Sequence, residues 1–132
     1  MNAKIRVGQT GEIRFKVEAQ HVIDFDGMPP VLATPRLVQF LEQAGREALK
    51  PCLSPEESSV GMDIDLQHLA PTPLGALVTC KARVILVDDR AIQFQIEATD
   101  EMEVIARGLH KRAIVNILRF AKRVQRKASK PA

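Results

Sequence analysis

One amphipathic helix, predicted at residues 35–50, is the feature that most limits the folds open to this chain. Its apolar residues recur at steps of three and four and form one stripe, which is typical of a helix that covers a single face of another element. The stripe consists of Leu37, Phe40, Leu41, Ala44, Ala48 and Leu49. Thr34 is suited to cap the first turn, Pro35 to the first helical position, and Pro51 to the end. No other long segment has this pattern, so a sheet face is needed to bury the stripe.

Five segments alternate apolar and polar residues, as strands with one buried face do. They are residues 11–20, 60–68, 76–87, 91–99 and 102–117. Residues 88–90 and 100–101 indicate tight turns, and residues 21–33, with Pro29 and Pro30, predict a loop. The order of one strand, one helix and four strands predicts an α+β fold in which a curved, antiparallel, five-stranded sheet wraps around the helix.

Two of these strands carry more specific expectations. In the strand at 60–68, alternation places the side chains of five residues on one face: Val60, Met62, Ile64, Leu66 and His68. In the strand at 102–117, the alternation breaks between Arg112 and Val115, which predicts a bulge or bend there.

The charge of the chain is divided unevenly. Residues 118–132 hold six of the 19 Lys and Arg residues and none of the 16 Asp and Glu residues, so the remainder is slightly acidic. We therefore expect a single domain at residues 1–117, of a size suited to one core, and a basic tail at 118–132. Such a tail can bind nucleic acid or another polyanion, but a solvated, frayed terminus is the commoner case and nucleic acid is not expected as a partner.

Other features of the sequence indicate where in the cell the protein is expected and which cofactors it needs. No apolar run is long enough to span a bilayer, and the N-terminus lacks the apolar core of a signal peptide. We therefore expect a cytoplasmic protein without a membrane partner. Cys52 and Cys80 are expected to be free thiols, and neither has neighbours at metal-ligand spacing. No metal or redox cofactor is expected.

Three residues carry the groups that acyl transfer requires. Thr34 supplies a hydroxyl at the predicted helix start, Glu42 a carboxylate eight residues later, and His68 an imidazole at the end of a strand. Each also has a structural explanation. Thr34 can be a simple cap, Glu42 can pair with Arg46 one turn on, and a histidine on an apolar face is often a core residue.

The chain resembles the fluoroacetyl-CoA thioesterase-like family of hotdog-fold proteins over residues 10–117. The resemblance rests on Ala33-Thr34-Pro35 at the helix start, Glu42 two turns in, Val60-Gly61 in the next strand, and His68 followed by 70–75, Ala-Pro-Thr-Pro-Leu-Gly. The Thr-to-Glu and Glu-to-His spacings agree with the catalytic triad of that family.

The resemblance implies a hotdog fold and a homodimer with its sites at the subunit interface. It implies a thioesterase that hydrolyses an acyl-CoA to a carboxylic acid and free CoA, with Thr34, Glu42 and His68 as catalytic residues. The resemblance leaves open whether Glu42 acts as a base or as the nucleophile. Coenzyme A enters only as part of the substrate.

The resemblance also suggests substrate-binding positions. The backbone N–H of Gly61 can approach the thioester carbonyl, although Gly61 can equally mark a bulge. Arg112 can contact a phosphate or carboxylate, although a solvated strand residue is equally expected. Phe25 can fill one of the aromatic lid positions that the fluoroacetyl-specific members have before the helix, and Met28 stands at the next candidate position. Because Met28 is not aromatic, specificity for fluoroacetyl is not expected. The expected substrate is a short or small acyl-CoA.

Two other functions are compatible with the sequence. A hotdog hydratase or dehydratase also uses a carboxylate and a histidine, usually close in sequence, and Asp24 near His21 is the one such pair. A non-catalytic protein could bind acyl-CoA in the same pocket or nucleic acid through its tail.

Overall fold

The computed structural model describes residues 4–25 and 27–129 and contains the predicted helix and strands. The long helix, α1, covers Thr34–Leu49, and a short 3₁₀ turn, Lys50–Cys52, follows it. The strands of the main sheet are β1 (Thr10–Lys16), β4 (Glu57–His68), β5 (Leu77–Asp88), β6 (Ala91–Thr99) and β7 (Val104–Asn116). Between β1 and α1, a 3₁₀ turn at Ala19–His21 leads into the two-residue strands β2 (Val22–Ile23) and β3 (Val31–Leu32).

The main sheet is antiparallel throughout, in the order β1-β5-β6-β7-β4. Helix α1 packs against it, and its stripe is buried as predicted, with Phe40 partly buried against the core. The facing positions of β5 and β6 are fully buried, including Val84, Phe94 and Ile96. The α+β prediction of a five-stranded antiparallel sheet around one helix is thus confirmed.

The irregularity that the sequence predicts between Arg112 and Val115 lies instead in β4, opposite Arg112. Gly61 pairs with Arg112 and Asp63 with Lys111, so Met62 has no partner in β7. Strand β7 runs without interruption in this pairing. Met62 is 57% exposed. Because of the shift, Gly61 and Ile64 lie opposite the inward residues Arg112 and His110, whereas Val60 lies opposite Ala113. The predicted shared face of β4 is therefore wrong at Val60 and Met62. The alternation of β7 looks broken only because buried positions 110 and 112 are His and Arg.

The basic segment forms a second helix, α2, at Ile117–Ala128, where a frayed terminus was expected. Asn116 caps it by accepting a hydrogen bond from the backbone of Arg119. None of its residues is buried, and apolar residues such as Leu118 and Val124 are exposed beside the basic ones. Within the described part of the chain, no helix is both long and apolar enough to cross a membrane.

The two cysteines are free, as expected from the sequence, and both are buried. Cys80 lies in the core on β5, where burial raises the pKa of its thiol to about 12. This thiol is therefore protonated at neutral pH and acts as a small apolar side chain.

Close packing between α1 and β1 depends on Gly11. A β-carbon at this position would overlap the backbone of Ala44 and Ala48, including the Cα of Ala48 at 2.8 Å. Gly11→Ala should therefore lower the free energy of unfolding by roughly 2–3 kcal/mol through overpacking. The melting temperature should fall by several degrees, whereas Thr10→Ala on the exposed face should change it little. An unchanged melting temperature for Gly11→Ala would show that α1 does not pack this closely.

Candidate functional site

Thr34 and His68 meet where α1 begins and β4 ends. The Thr34 Oγ1 atom lies 2.8 Å from the His68 Nδ1 atom. Backbone contacts join the segment before Thr34 to the segment after His68. The Leu32 N–H donates to the Thr72 carbonyl over 2.8 Å, and Val31 forms an isolated antiparallel β-bridge with Pro73. The Pro-rich segment after β4 is thereby fixed beside the start of α1.

The structure corrects the predicted role of Thr34 as a cap. Ala33 occupies the cap position without a side-chain hydrogen bond, and Thr34 is the first residue of the helix, so that Pro35 is the second. The Thr34 hydroxyl is bound to the imidazole of His68. It is therefore available for chemistry at the helix mouth.

His68 is held as a neutral imidazole. Burial lowers the pKa of His68 below its ordinary value of 6.5, because the charged ring is poorly solvated there. When Nδ1 is unprotonated, it accepts the Thr34 O–H, which is the arrangement of a hydroxyl beside a base. The Nε2 atom is also buried and has no hydrogen-bond partner within the described residues.

A small apolar pocket opens beside this pair. Its volume is about 280 Å³, and Thr34 and His68 are the only polar side chains among the described residues that line it. The other lining residues are Ile23, Val31, Leu32, Leu69, Ala70 and Pro71. An apolar pocket of this size with a hydroxyl and an imidazole in its wall fits a small acyl group.

The predicted lid residues Phe25 and Met28 lie on the loop between β2 and β3. Their side chains are 56% and 53% exposed, and neither belongs to the pocket wall in the described residues. The ends of the loop do belong to it, through Ile23 and Val31. The structure thus places both residues outside the described lining of the pocket.

Glu42 lies on α1 and faces the bulge of β4. Its side chain is 39% exposed. A β-carbon on Gly61 would overlap the Glu42 Oε2 atom and would lie 3.4 Å from Cδ, so glycine leaves the space that the carboxylate occupies. The sequence anticipated a close approach at Gly61, and in this protomer the approaching group is Glu42.

The ion-pair partner of Glu42 is Arg112 on β7. Arg112 Nη1 lies 3.9 Å from Glu42 Oε2 and donates to the Glu42 backbone carbonyl over 3.3 Å. Among the described residues no ion pair joins Glu42 to Arg46, which was the structural alternative. Arg112 is buried, so its expected alternative as a solvated strand residue is wrong. Its Nε and Nη2 atoms donate to the Ser59 hydroxyl and carbonyl, each over 2.9 Å.

His110 completes this buried network and was not anticipated from the sequence. Its Nδ1 lies 2.8 Å from the Asp63 carbonyl, and its Nε2 lies 3.2 Å from Arg112 Nη1. A carbonyl only accepts and a guanidinium only donates, so the neutral ring carries its proton on Nδ1. The available signal was position, because His110 and Arg112 share the inward face of β7 with Ile114.

The three predicted catalytic residues form two separate groups within one protomer. Thr34 and His68 are in contact, whereas Glu42 lies eight residues along α1 from Thr34, a distance of about 12 Å along the helix. Along β4, Gly61 and His68 are about 20 Å apart. One protomer therefore brings Thr34 and His68 together and leaves Glu42 apart from them.

A curved antiparallel sheet around one helix, with a hydroxyl–imidazole pair at the helix mouth, defines a hotdog-fold protein of the thioesterase superfamily. A hot-dog-like protein from Thermanaerovibrio acidaminovorans shares the fold alone, at a TM-score of 0.86 and 24% identity over 95% of this chain and 94% of that one. The family model for fluoroacetyl-CoA-specific thioesterase matches residues 11–117. The chain belongs to this family, and the predicted resemblance is confirmed.

Two members of the family illustrate the similarity. Fluoroacetyl-CoA thioesterase from Streptantibioticus cattleyicolor is 35% identical over 104 residues, which cover 79% of this chain and 75% of that protein. A crystal structure of a mutant fluoroacetyl-CoA-specific thioesterase in complex with fluoroacetate and CoA matches at a TM-score of 0.80. It is 32% identical and covers 87% of this chain and 98% of that one.

The buried network makes a prediction about His110. Burial lowers the pKa of His110, and the nearby Arg112 charge lowers it further, against the raising effect of the Asp63 carbonyl. NMR of the ring nitrogens should therefore show a neutral imidazole with its proton on Nδ1 at pH 6.5. A proton on Nε2, or a charged ring at that pH, would contradict the network.

The lowered pKa of His110 also makes the stability of the fold depend on pH. The unfolded chain takes up a proton on this ring near pH 6.5 and the folded protein takes it up only at lower pH. The contribution of His110 to stability is thus present above about pH 6.5 and is lost as the pH falls. Thermal unfolding between pH 7.5 and 5.5 should show a smaller loss of stability in His110→Gln than in the wild type.

Proposed function

We propose that this protein is an acyl-CoA thioesterase that hydrolyses a short or small acyl-CoA to a carboxylic acid and free CoA. The observation that carries the proposal is the Thr34–His68 hydrogen bond in the wall of an apolar pocket of about 280 Å³. Family membership supports the reaction class, because the relative from Streptantibioticus cattleyicolor is a fluoroacetyl-CoA thioesterase. The pocket lining supports a small acyl group.

We propose further that the working enzyme is a homodimer in which Glu42 of one protomer acts with Thr34 and His68 of its partner. The separation of the two groups within one protomer supports this arrangement. Strand β4 carries Gly61 at one point and His68 at its end, and it lies at an edge of the sheet. Antiparallel pairing of two β4 strands across a twofold axis would bring each Glu42 towards the opposite end of the partner strand.

The chemistry requires a nucleophile, a proton carrier and a leaving group. The oxygen of a water molecule, activated by Glu42 as base, or of Glu42 itself, bonds to the thioester carbon. The C–S bond then breaks. In the water route, the proton that Glu42 took from the water passes to the sulphur of CoA, and neutral His68, with Thr34 on its Nδ1, is suited to relay it. In the Glu42-nucleophile route, CoA leaves as the thiolate and the water that then hydrolyses the anhydride supplies its proton, so both routes yield the same products.

These steps use only protein groups and water, so we propose that no metal or redox cofactor takes part. We also propose a cytoplasmic location. The two cysteines are unpaired, which is usual in a reducing compartment. Cell fractionation would test this, and recovery of the native protein only from an oxidising compartment would contradict it.

The first test is free-thiol release from a panel of acyl-CoAs that runs from acetyl and fluoroacetyl through aryl to long-chain thioesters. The wild type should hydrolyse the small members best. Glu42→Gln should reduce kcat by on the order of 100-fold or more, because an amide neither accepts a proton nor attacks the carbonyl at neutral pH. Glu97→Gln, the same change at an exposed position of β6, should leave activity within about twofold of the wild type.

A folded wild type that releases no thiol from any member would contradict the proposed hydrolysis. The hydratase alternative would then be tested with enoyl- and hydroxyacyl-CoA. Its one candidate pair receives little support, because the His21 ring accepts a hydrogen bond from the Glu18 backbone and packs edge-on against Phe15 and Phe40. Sedimentation should give the mass of a dimer, and an active monomer would overturn the composite site.

A further inference from the structure

A second cleft begins at Arg46, one turn of α1 beyond Glu42 and further from Thr34 along the helix. It has a volume of about 390 Å³ and lies between the C-terminal half of α1, the start of β4 and the first residue of α2. Its lining includes Arg46, Lys50, Ser54, Ser58 and Ile117. Guanidinium, ammonium and hydroxyl groups thus surround one concave surface, and all of them can donate hydrogen bonds.

The cleft is continuous with the network around Glu42. Ser59 lines it and is also the residue whose hydroxyl and carbonyl accept hydrogen bonds from Arg112. Arg46 lies one turn beyond Glu42 on α1, and Lys50 lies two turns beyond it, about 12 Å along the helix. The two basic residues therefore lie successively further from the Glu42 carboxylate along α1.

Arg46 is free to bind an anion. It is exposed, and no hydrogen bond or ion pair engages its guanidinium within the described residues. Lys50 is also mostly exposed, and its contact with Glu47 is long, at 3.9 Å. Such an exposed pair contributes little energy and is readily exchanged for a stronger partner.

The one carboxylate in the cleft wall is already engaged. Glu57 accepts hydrogen bonds from Arg90 Nη2 over 2.8 Å and from the Ser54 backbone and hydroxyl over 3.2 and 3.0 Å. Its side chain is 7% exposed, so little of it faces the cleft. The accessible charges of the cleft are therefore positive.

We propose that this cleft binds the phosphate groups of coenzyme A, with Arg46 and Lys50 as the charged donors. The proposal rests on the proposed thioesterase function. Coenzyme A carries its phosphates at the far end of a long pantetheine arm, so a thioester carbon beside Glu42 requires an anion site some distance away. Arg46 and Lys50 provide one further along α1. Arginine and lysine side chains are the usual phosphate partners in proteins.

The test compares an acyl-CoA with the N-acetylcysteamine thioester of the same acid, which has the thioester and no phosphate. Arg46→Ala/Lys50→Ala should raise KM for the acyl-CoA roughly 10-fold or more, because hydrogen bonds to charged groups are lost. It should leave kcat/KM for the short thioester within about twofold. The matched control Lys81→Ala/Arg83→Ala, which removes two charges from exposed positions of β5, should affect neither substrate.

Salt provides a second measure. The wild-type KM for the acyl-CoA should rise with ionic strength, and this dependence should be weaker in Arg46→Ala/Lys50→Ala. An unchanged KM in that variant would overturn the assignment. An equal loss on both substrates would also overturn it, because it would show that the two residues position Glu42 and Arg112.

The outcome remains decisive if the proposed hydrolysis fails. Calorimetry of the wild type with CoA, and with pantetheine as the phosphate-free control, measures the site without turnover. Binding of CoA that depends on Arg46 and Lys50 would support the phosphate site in a non-catalytic protein. Equal affinity of the wild type and the double variant for CoA would overturn it.

Discussion

Helix α1 buries its apolar stripe against the sheet and so fixes the positions of both candidate reactive groups. Thr34 begins the helix and Glu42 lies about 12 Å further along it, and neither can move independently while the stripe is packed. The close approach of β1 at Gly11 holds one side of the helix. The buried Arg112 holds the other, because its guanidinium joins the Glu42 carbonyl on α1 to Ser59 on β4.

This rigidity keeps the two groups of candidate residues apart within one protomer. The hydroxyl–imidazole pair and the apolar pocket lie at one end of α1, and the carboxylate, the Gly61 bulge and the basic cleft lie further along. Thioester hydrolysis as proposed needs the hydroxyl, the imidazole and the carboxylate around the thioester carbon at once. In the proposed twofold dimer these groups would meet without distortion of either protomer, and the rigid core of each protomer would set the precision of the composite site.

Much of this fold follows from local pattern. The period of the α1 stripe and the alternation of the strands predicted the elements, and Thr34 and His68 were placed at element ends that do meet. The details that failed were those that depend on pairing between strands. The bulge belongs to β4 because Met62 has no partner in β7, and no local signal in either strand shows which of the two carries the extra residue. Likewise, the alternation predicted over 76–87 does not hold to its end: Leu86, two residues after the buried Val84, is 52% exposed because a similar shift follows Val84 in β5.

The polar part of the site was harder to predict for a related reason. A buried His110 and a buried Arg112 break the apolar alternation of β7, so the sequence suggests an irregularity at 112–115, where the pairing of the strand is regular. Their burial is tolerated because Asp63, Ser59 and Glu42 supply partners, and these lie 47 to 70 residues away in sequence. Thr34 was predicted as a cap because a hydroxyl at a helix start can bond to the backbone of the first turn. Only the tertiary contact shows that this hydroxyl bonds to His68 instead.

The central claim is that Glu42 of one protomer completes the site of its partner, and mixed dimers test it most directly. Glu42→Gln and His68→Ala chains would be co-expressed with different affinity tags, and the doubly tagged dimer isolated. One of its two composite sites would have every wild-type group, so activity should return to about half that of the wild-type dimer although each parent is inactive. A mixed dimer as inactive as its parents would show that each site draws all its residues from a single chain.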